Sequence, residues 1–368
     1  MFAKAARNIF QVRNSPPKRP NMSEDATGLC EPLHSPDDAN VDIVFVHGLG
    51  GHRVESWTYK PTEEVPVESF WPKDFLKSAC PTARILSFGY DSHFTHFYPL
   101  FGPKNIPVGT TIDDHSGSLF LDLNNLRAST ETPPERPLIF VAHSLGGLVV
   151  ANALSRLTET NTEDKNLANT TFGVIFLGTP FEGASLARWG TIALNLVKLF
   201  SSTNKESVKD LQEQSQRLAA INDAFYKYIK VRDRSQKTLR LACFYEEWPT
   251  YVGRNNIGVV VPKASATLSG INPVPISASH SGMCKFADES RNGYKAVSGT
   301  LSRWIKELDR QGPSNHATGG VVHSGDMKFQ STVHNSGIIT RDIDGNTPDA
   351  VRLTGTVNYY GSDYKPQS

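Results

Sequence analysis

Arg136-Pro137-Leu138-Ile139-Phe140-Val141-Ala142-His143-Ser144-Leu145-Gly146-Gly147-Leu148-Val149-Val150 is the stretch from which the fold reads outward. Leu138 to Val141 is a short apolar run of the kind a buried strand makes, and an apolar helix is expected from Leu145 to Leu157. A serine at the tip of a sharp strand-to-helix turn has its hydroxyl lifted clear of the sheet. The free N–H groups of the helix start point at the same place, where negative charge can be held. Such a turn needs small neighbours because its backbone approaches other chain closely, and Ala142, Gly146 and Gly147 supply them. The common pattern is G-x-S-x-G; Ala142 stands at the first glycine and is the smallest replacement. A serine hydroxyl is a weak nucleophile, so Ser144 needs a base and a group that orients the base.

The rest of the chain offers candidates for both. Val41 to Val46 is an apolar strand running into His47-Gly48-Leu49-Gly50-Gly51-His52. Glycines directly after a core strand let backbone N–H groups face a pocket, so the Leu49 and Leu145 N–H groups are expected to form an oxyanion hole. His47 and His52 are read as loop or structural residues. Leu239 to Tyr245 is a strand ending in Glu246-Glu247. Glu246, directly after the strand, is the expected acid, with Glu247 as the alternative. His280, in Ser279-His280-Ser281-Gly282-Met283, follows the last short strand, Val274 to Ala278, and is the expected base. Each of these features alone also fits a turn or a solvated side chain without chemistry; their combination points to nucleophilic catalysis.

Further strands are expected at Ala83–Phe88, Phe172–Leu177 and Gly258–Pro262. Helices are expected at Thr111–Arg127, Leu186–Phe200, Glu206–Ile229 and Tyr294–Leu308, with a polar loop from the elbow helix to Asn169. Continuous apolar strands alternating with helices predict a mostly parallel central sheet with helices on both faces. The apolar helix at 186–200 suits a cap, placed at about 183–232, or alternatively an ordinary core helix. His115 is read as capping or packing. Phe94, Phe97, Tyr98 and Phe101 line either a substrate entrance or a satellite core.

Composition narrows the class. The 368 residues fit one large α/β domain with tails, and a formal net charge of +1 argues against a general nucleic-acid binder. The four cysteines, Cys30, Cys80, Cys243 and Cys284, show no close metal-ligand spacing and read as free thiols of a reducing compartment. No run is long and apolar enough to span a bilayer. Residues 1–40 form a basic tail and polar linker without the apolar core of a secretory signal. A mitochondrial presequence, a weak membrane-surface helix and a disordered tail all remain open for it. Residues 311–368 are rich in Ser, Thr, Asn and Gly, with β-prone alternation around Asp326–Val333. That tail reads as disordered, or as a self-assembling cross-β segment.

Val44 to His52, Ala83 to Asp91, Ala142 to Gly147, Phe176 to Pro180, Phe244 to Glu246 and His280 to Phe286 together resemble lipase-like α/β-hydrolases of the serine-active-site-containing type. Fungal sesB-like proteins carry similar phrases, as do the hydrolase domains that front fungal NACHT, ankyrin or WD-repeat proteins. The resemblance covers about Val41 to Leu308, and the order Ser144, Glu246, His280 matches that of the α/β-hydrolase fold. It implies Ser144 as nucleophile, His280 as base and an acid after the Phe244-Tyr245-Glu246 strand. It also implies carboxylic-ester substrates, chiefly lipids, and mitochondrial or endoplasmic-reticulum membranes, with the cytoplasm as the alternative setting. No metal or organic cofactor is expected. The competing reading is a signalling scaffold with a hydrolase fold, which assembles with itself or with a receptor through its tail.

Overall fold

The computed structural model describes residues 27–92, 111–156, 162–181, 186–200 and 208–311. These lie in the first of two compact units, residues 1–314; the second, 315–368, lies outside the described residues. So do the basic N-terminal segment, the aromatic loop Phe94–Phe101 and the β-prone tail.

In chain order the strands are β1 (Gly28–Leu29), β2 (Val41–Val46), the short pair β3 (Thr58–Tyr59) and β4 (Ser69–Phe70), β5 (Ala83–Gly89), β6 (Leu138–His143), β7 (Thr171–Leu177), β8 (Arg240–Glu246), the pair β9 (Thr250–Val252) and β10 (Asn255–Gly258), and β11 (Val274–Ile276). Seven of them form one sheet in the order β1-β5-β2-β6-β7-β8-β11. Every neighbouring pair is parallel except β1 on β5.

Parallel strands covered on both faces have to be apolar on both faces. In β2, Val44 and Val46 face a cluster built with the helices Ile112–Ser129, Gly146–Ser155 and Val208–Arg234. Val41, Ile43 and Phe45 face the opposite cluster, with Trp57, Trp71 and the closing helix Asn292–Gln311. The chain leaves β2 for β5 on one side and comes back to β6 on the other. This reversal opens a crevice at the carboxyl ends of β2 and β6, where open α/β sheets place their ligands. His47-Gly48-Leu49 and Ser144 lie at those two ends.

Four expectations need correction. The folded chain starts before Val41: Gly28–Leu29 pairs with β5, and His34 bridges Ile85, so part of the expected linker is sheet edge. The segment up to Asn169 holds a helix, Thr162–Thr170, whose short apolar side (Leu167, Ala168) packs into the core beneath otherwise polar residues. Val259–Pro262 is not a strand; β10 ends at Gly258, and the Val261 N–H is taken by a side chain instead of a ladder. The region placed as a cap feeds the core as well. Its second helix packs along the elbow helix Gly146–Ser155, burying Leu218, Ile221 and Phe225, while Ile192 and Leu196 of Leu186–Phe200 join the same cluster.

Candidate active site

Ser144 follows β6 with φ at 53°, a left-handed backbone that a side-chain-bearing residue adopts only under constraint. The constraint is visible. The Ser144 N–H donates to the Leu177 carbonyl at 2.8 Å, tying the turn to the end of β7. The His47–Leu49 loop lies directly against the elbow. A Cβ on Gly48 would stand 2.6 Å from the Ser144 Cβ, and one on Gly146 would stand 2.1 Å from the His47 carbonyl oxygen. Glycine is required at both places because backbone runs against backbone there. Thr179, just past β7, fills the space beside Gly147.

The loop after β2 is braced from below. The His47 ring stacks on Tyr90, with centroids 4.4 Å apart and planes 5° apart. The Tyr90 hydroxyl donates to the His47 carbonyl at 2.8 Å, and the Tyr90 N–H donates to His47 Nε2 at 3.3 Å. Nε2 is therefore the acceptor, and Nδ1 carries the proton given to the Gly48 carbonyl at 2.9 Å. Burial pushes His47 down to about 4, so the ring is neutral over the ordinary pH range. The His115 ring lies tilted against Tyr90, with centroids 4.6 Å apart, while Thr111 makes the helix cap through Asp114. His52 accepts from the N–H groups of Val54 and Glu55 within its own loop.

The structure brings Ser144, His280 and Glu246 into one hydrogen-bonded line. His280 Nε2 is 2.9 Å from the Ser144 Oγ, and His280 Nδ1 is 3.1 Å from Glu246 Oε2. A carboxylate at Nδ1 accepts, so the proton sits there and the Nε2 lone pair faces the hydroxyl. Glu246 is itself fixed by the Val261 N–H at 2.8 Å on its other oxygen. Glu247 goes elsewhere: it accepts from Ser277 Oγ at the surface. All three residues of the line are buried, Ser144 at 1%, Glu246 at 2% and His280 at 0% exposure. An imidazole held this way can take a hydroxyl proton in a medium that strengthens each interaction.

The Leu49 and Leu145 backbone N–H groups make no hydrogen bond among the described residues. The described residues contain no group of three His, Cys, Asp or Glu placed to hold a metal. The four cysteines are free, and burial pushes the thiols of Cys80, Cys243 and Cys284 up to about 12, which makes them poor nucleophiles.

Sequence reasoning passed over three contacts. Thr250 Oγ1 accepts from the His280 N–H at 3.3 Å, the Val261 N–H holds Glu246, and His143 Nε2 lies 2.9 Å from the His280 carbonyl oxygen. The first two depend on loop paths that no local pattern encodes. His143 had a signal, a histidine directly before the serine, but its partner lies 137 residues away.

No family model matches the sequence. The chain is 30% identical over 255 residues to Protein SERAC1 of Homo sapiens, covering 66% of this chain and 36% of that protein. It is 31% identical over 254 residues to Protein SERAC1 of Danio rerio, with the same coverage of 66% and 36%. The chain thus spans little more than a third of the length of these relatives. Among solved structures it is similar to the mature Bacillus licheniformis lipase BlEst2, at 17% identity and a TM-score of 0.43, covering 74% of this chain and 96% of that one. It is also similar to an acetyl ester-xyloside bifunctional hydrolase from Caldicellulosiruptor lactoaceticus, at 12% identity and a TM-score of 0.43, covering 82% and 94%. The sheet order, the switch point between β2 and β6 and the strained serine elbow make this an α/β-hydrolase fold, in a chain similar in sequence to the SERAC1 proteins.

Proposed function

We propose that the chain is a serine hydrolase of carboxylic esters, with Ser144 as nucleophile, His280 as base and Glu246 as the group that orients the base. The observation that carries this reading is the continuous line from Ser144 Oγ through the His280 ring to Glu246, at 2.9 and 3.1 Å. In the proposed reaction Ser144 Oγ bonds to the ester carbonyl carbon while its proton passes to His280 Nε2. The carbonyl oxygen, now negative, is held by the Leu49 and Leu145 N–H groups. His280 returns the proton to the departing alkoxide, and the carbon–oxygen bond to the alcohol breaks. Water then attacks the acyl-enzyme by the same route and releases the acid.

Lipid esters with an apolar acyl chain are the proposed substrate class; the core beside the elbow is apolar there, with Leu49, Leu145 and Phe181 all buried. An intracellular, membrane-associated setting belongs to the same proposal and follows the resemblance to lipase-like α/β-hydrolases given under the sequence analysis. Among the described residues no helix is long and apolar enough to cross a membrane. Fractionation of cells expressing the tagged chain tests the setting; recovery only in the soluble fraction contradicts it.

The activity is tested with a fluorophosphonate probe on purified wild type, Ser144→Ala and His280→Ala. Labelling of the wild type alone supports the proposal, and a series of p-nitrophenyl esters from acetate to palmitate then reads the acyl preference. A folded wild type that takes up no probe overturns it.

A further inference from the structure

We propose that His143 is a positioning residue for His280, a strap that sets the distance between nucleophile and base. This rests on the reading of Ser144 and His280 given above. His143 is covalently next to Ser144, and its Nε2 is 2.9 Å from the backbone carbonyl of His280. A carbonyl only accepts, so His143 carries its proton on Nε2 and donates it. The two rings lie with centroids 4.9 Å apart, tilted by 40°. The other ring nitrogen, Nδ1, would be 3.3 Å from a Cβ on Gly48. One side chain therefore holds the loop that carries the base and lies close beside the loop that carries the Leu49 N–H.

The base needs such a strap because its own loop is short of regular structure. His280 follows β11 by four positions and sits in a turn. Its side chain is fixed by Glu246, and its N–H is held by Thr250 Oγ1 at 3.3 Å. The turn is tied just before His280, where the Ala278 carbonyl accepts from Trp248 and the Ser279 carbonyl from Gly282 and Met283; with its own carbonyl free, the His280 peptide would still tilt about the longer Thr250 bond and shift Nε2 relative to Ser144 Oγ. The donation from His143 closes the third point. The strap also has to be uncharged, because a cation here would oppose the imidazolium that His280 becomes. Burial, reinforced by the nearby His280, holds His143 well below the ordinary histidine range, so a neutral donor is what the site contains.

The test compares wild type with His143→Phe, which fills the space without a donor, and His143→Gln, whose side-chain N–H reaches to about the same point. The readouts are the rate of fluorophosphonate labelling, the melting temperature and the histidine ring resonances in a 15N-labelled sample. The expectation is a drop in labelling rate of roughly ten- to a hundredfold in His143→Phe, restored to within about threefold in His143→Gln, from a displacement of the base on the order of 1 Å. The wild type should also show a slowly exchanging His143 Nε2 proton, and His143→Phe should shift the His280 ring signals. Equal labelling in all three proteins overturns the proposal. So does an equal loss in both variants that follows their melting temperatures. If the wild type takes up no probe, the ester-hydrolase reading fails by itself. The resonances still decide the strap, since a rapidly exchanging His143 proton or unchanged His280 signals would sink it.

Discussion

The carbonyl oxygen of His47 lies where a side chain on Gly146 would have to begin, 2.1 Å from the position of a Cβ. Two segments from opposite sides of the switch point thus meet backbone to backbone, and neither can move without moving Ser144 or Leu49. Gly146→Ala should lower stability by about 1–3 kcal/mol or more through overpacking, and should abolish probe labelling. Gly117, on the exposed side of the helix Ile112–Ser129, has open space at its Cβ position. Gly117→Ala should raise stability by about 1 kcal/mol and leave labelling unchanged. Urea unfolding of the two variants checks both signs.

The two adjacent acids separate cleanly in a rate experiment. Glu246→Gln removes the carboxylate that fixes the His280 tautomer and should cut the labelling rate by about 10⁴-fold, by analogy with amide replacement of the acid in other triads. Glu247→Gln only disturbs the surface contact with Ser277 and should stay within about twofold of wild type. A larger loss for Glu247→Gln than for Glu246→Gln would overturn the assignment of roles.

Asp42, fully buried at the second position of β2, accepts from Arg84 through both of its oxygens, at 2.9 Å each. Arg127 reaches one of the same oxygens, and Arg136 stands 3.6 Å from the other. One carboxylate offsets three guanidinium groups at the amino end of the sheet, away from Ser144. Asp42→Asn keeps the shape and strands those charges, so a loss of about 3–5 kcal/mol is expected without a direct effect on the site. The urea midpoint should fall sharply, while any folded fraction labels at the wild-type rate.

His47 gives the fold an acid limit. Its folded value is about 4 against an ordinary 6.5, with burial as the main cause. Between those values the unfolded chain binds a proton that the folded chain refuses. Stability is therefore full above pH 6.5 and is lost as pH falls through that range toward about 4. The His47 contribution alone amounts to about 3 kcal/mol. His143, also pushed well down by burial, adds to the loss with the same sign. Urea midpoints measured across this window should decline with acidity; a flat profile contradicts the assignment.

Much of this architecture was legible in the sequence because its signals are local. A continuous apolar run such as Val41–Val46 has to be a strand covered on both faces, and the alternation of such runs with helices gives the parallel sheet. Of the residues expected to act together, Glu246 ends β8 and Ser144 directly follows β6, while His280 sits in the turn four positions after β11; the fold brings successive members within 3.1 Å. What escaped depends on backbone bonds that side-chain pattern does not encode. Gly28–Leu29 joins the sheet through pairing with Phe88 and Gly89, although neither its composition nor its period suggests a strand. Val259–Val261 has strong strand propensity, but Val261 spends its N–H on Glu246, so the ladder cannot continue there. The polar helix Val208–Arg234 read as part of a cap. Its apolar stripe and the bonds from Arg232 to the carbonyls of Ala168 and Thr171 show it bound into the core layer.

The two margins of the sheet bear on how crowded copies of the chain behave. A long, flat outer strand would recruit the outer strand of a neighbour, and the molecules would grow into polymers. Here one margin is the two-residue β1, and the other is the three-residue β11, which carries Pro275 with no N–H to offer. The most apolar strands, β2, β6 and β7, lie inside, with both of their hydrogen-bonding sides already taken. Each outermost strand is therefore too short to offer a neighbouring copy more than a few backbone groups with which to extend the sheet.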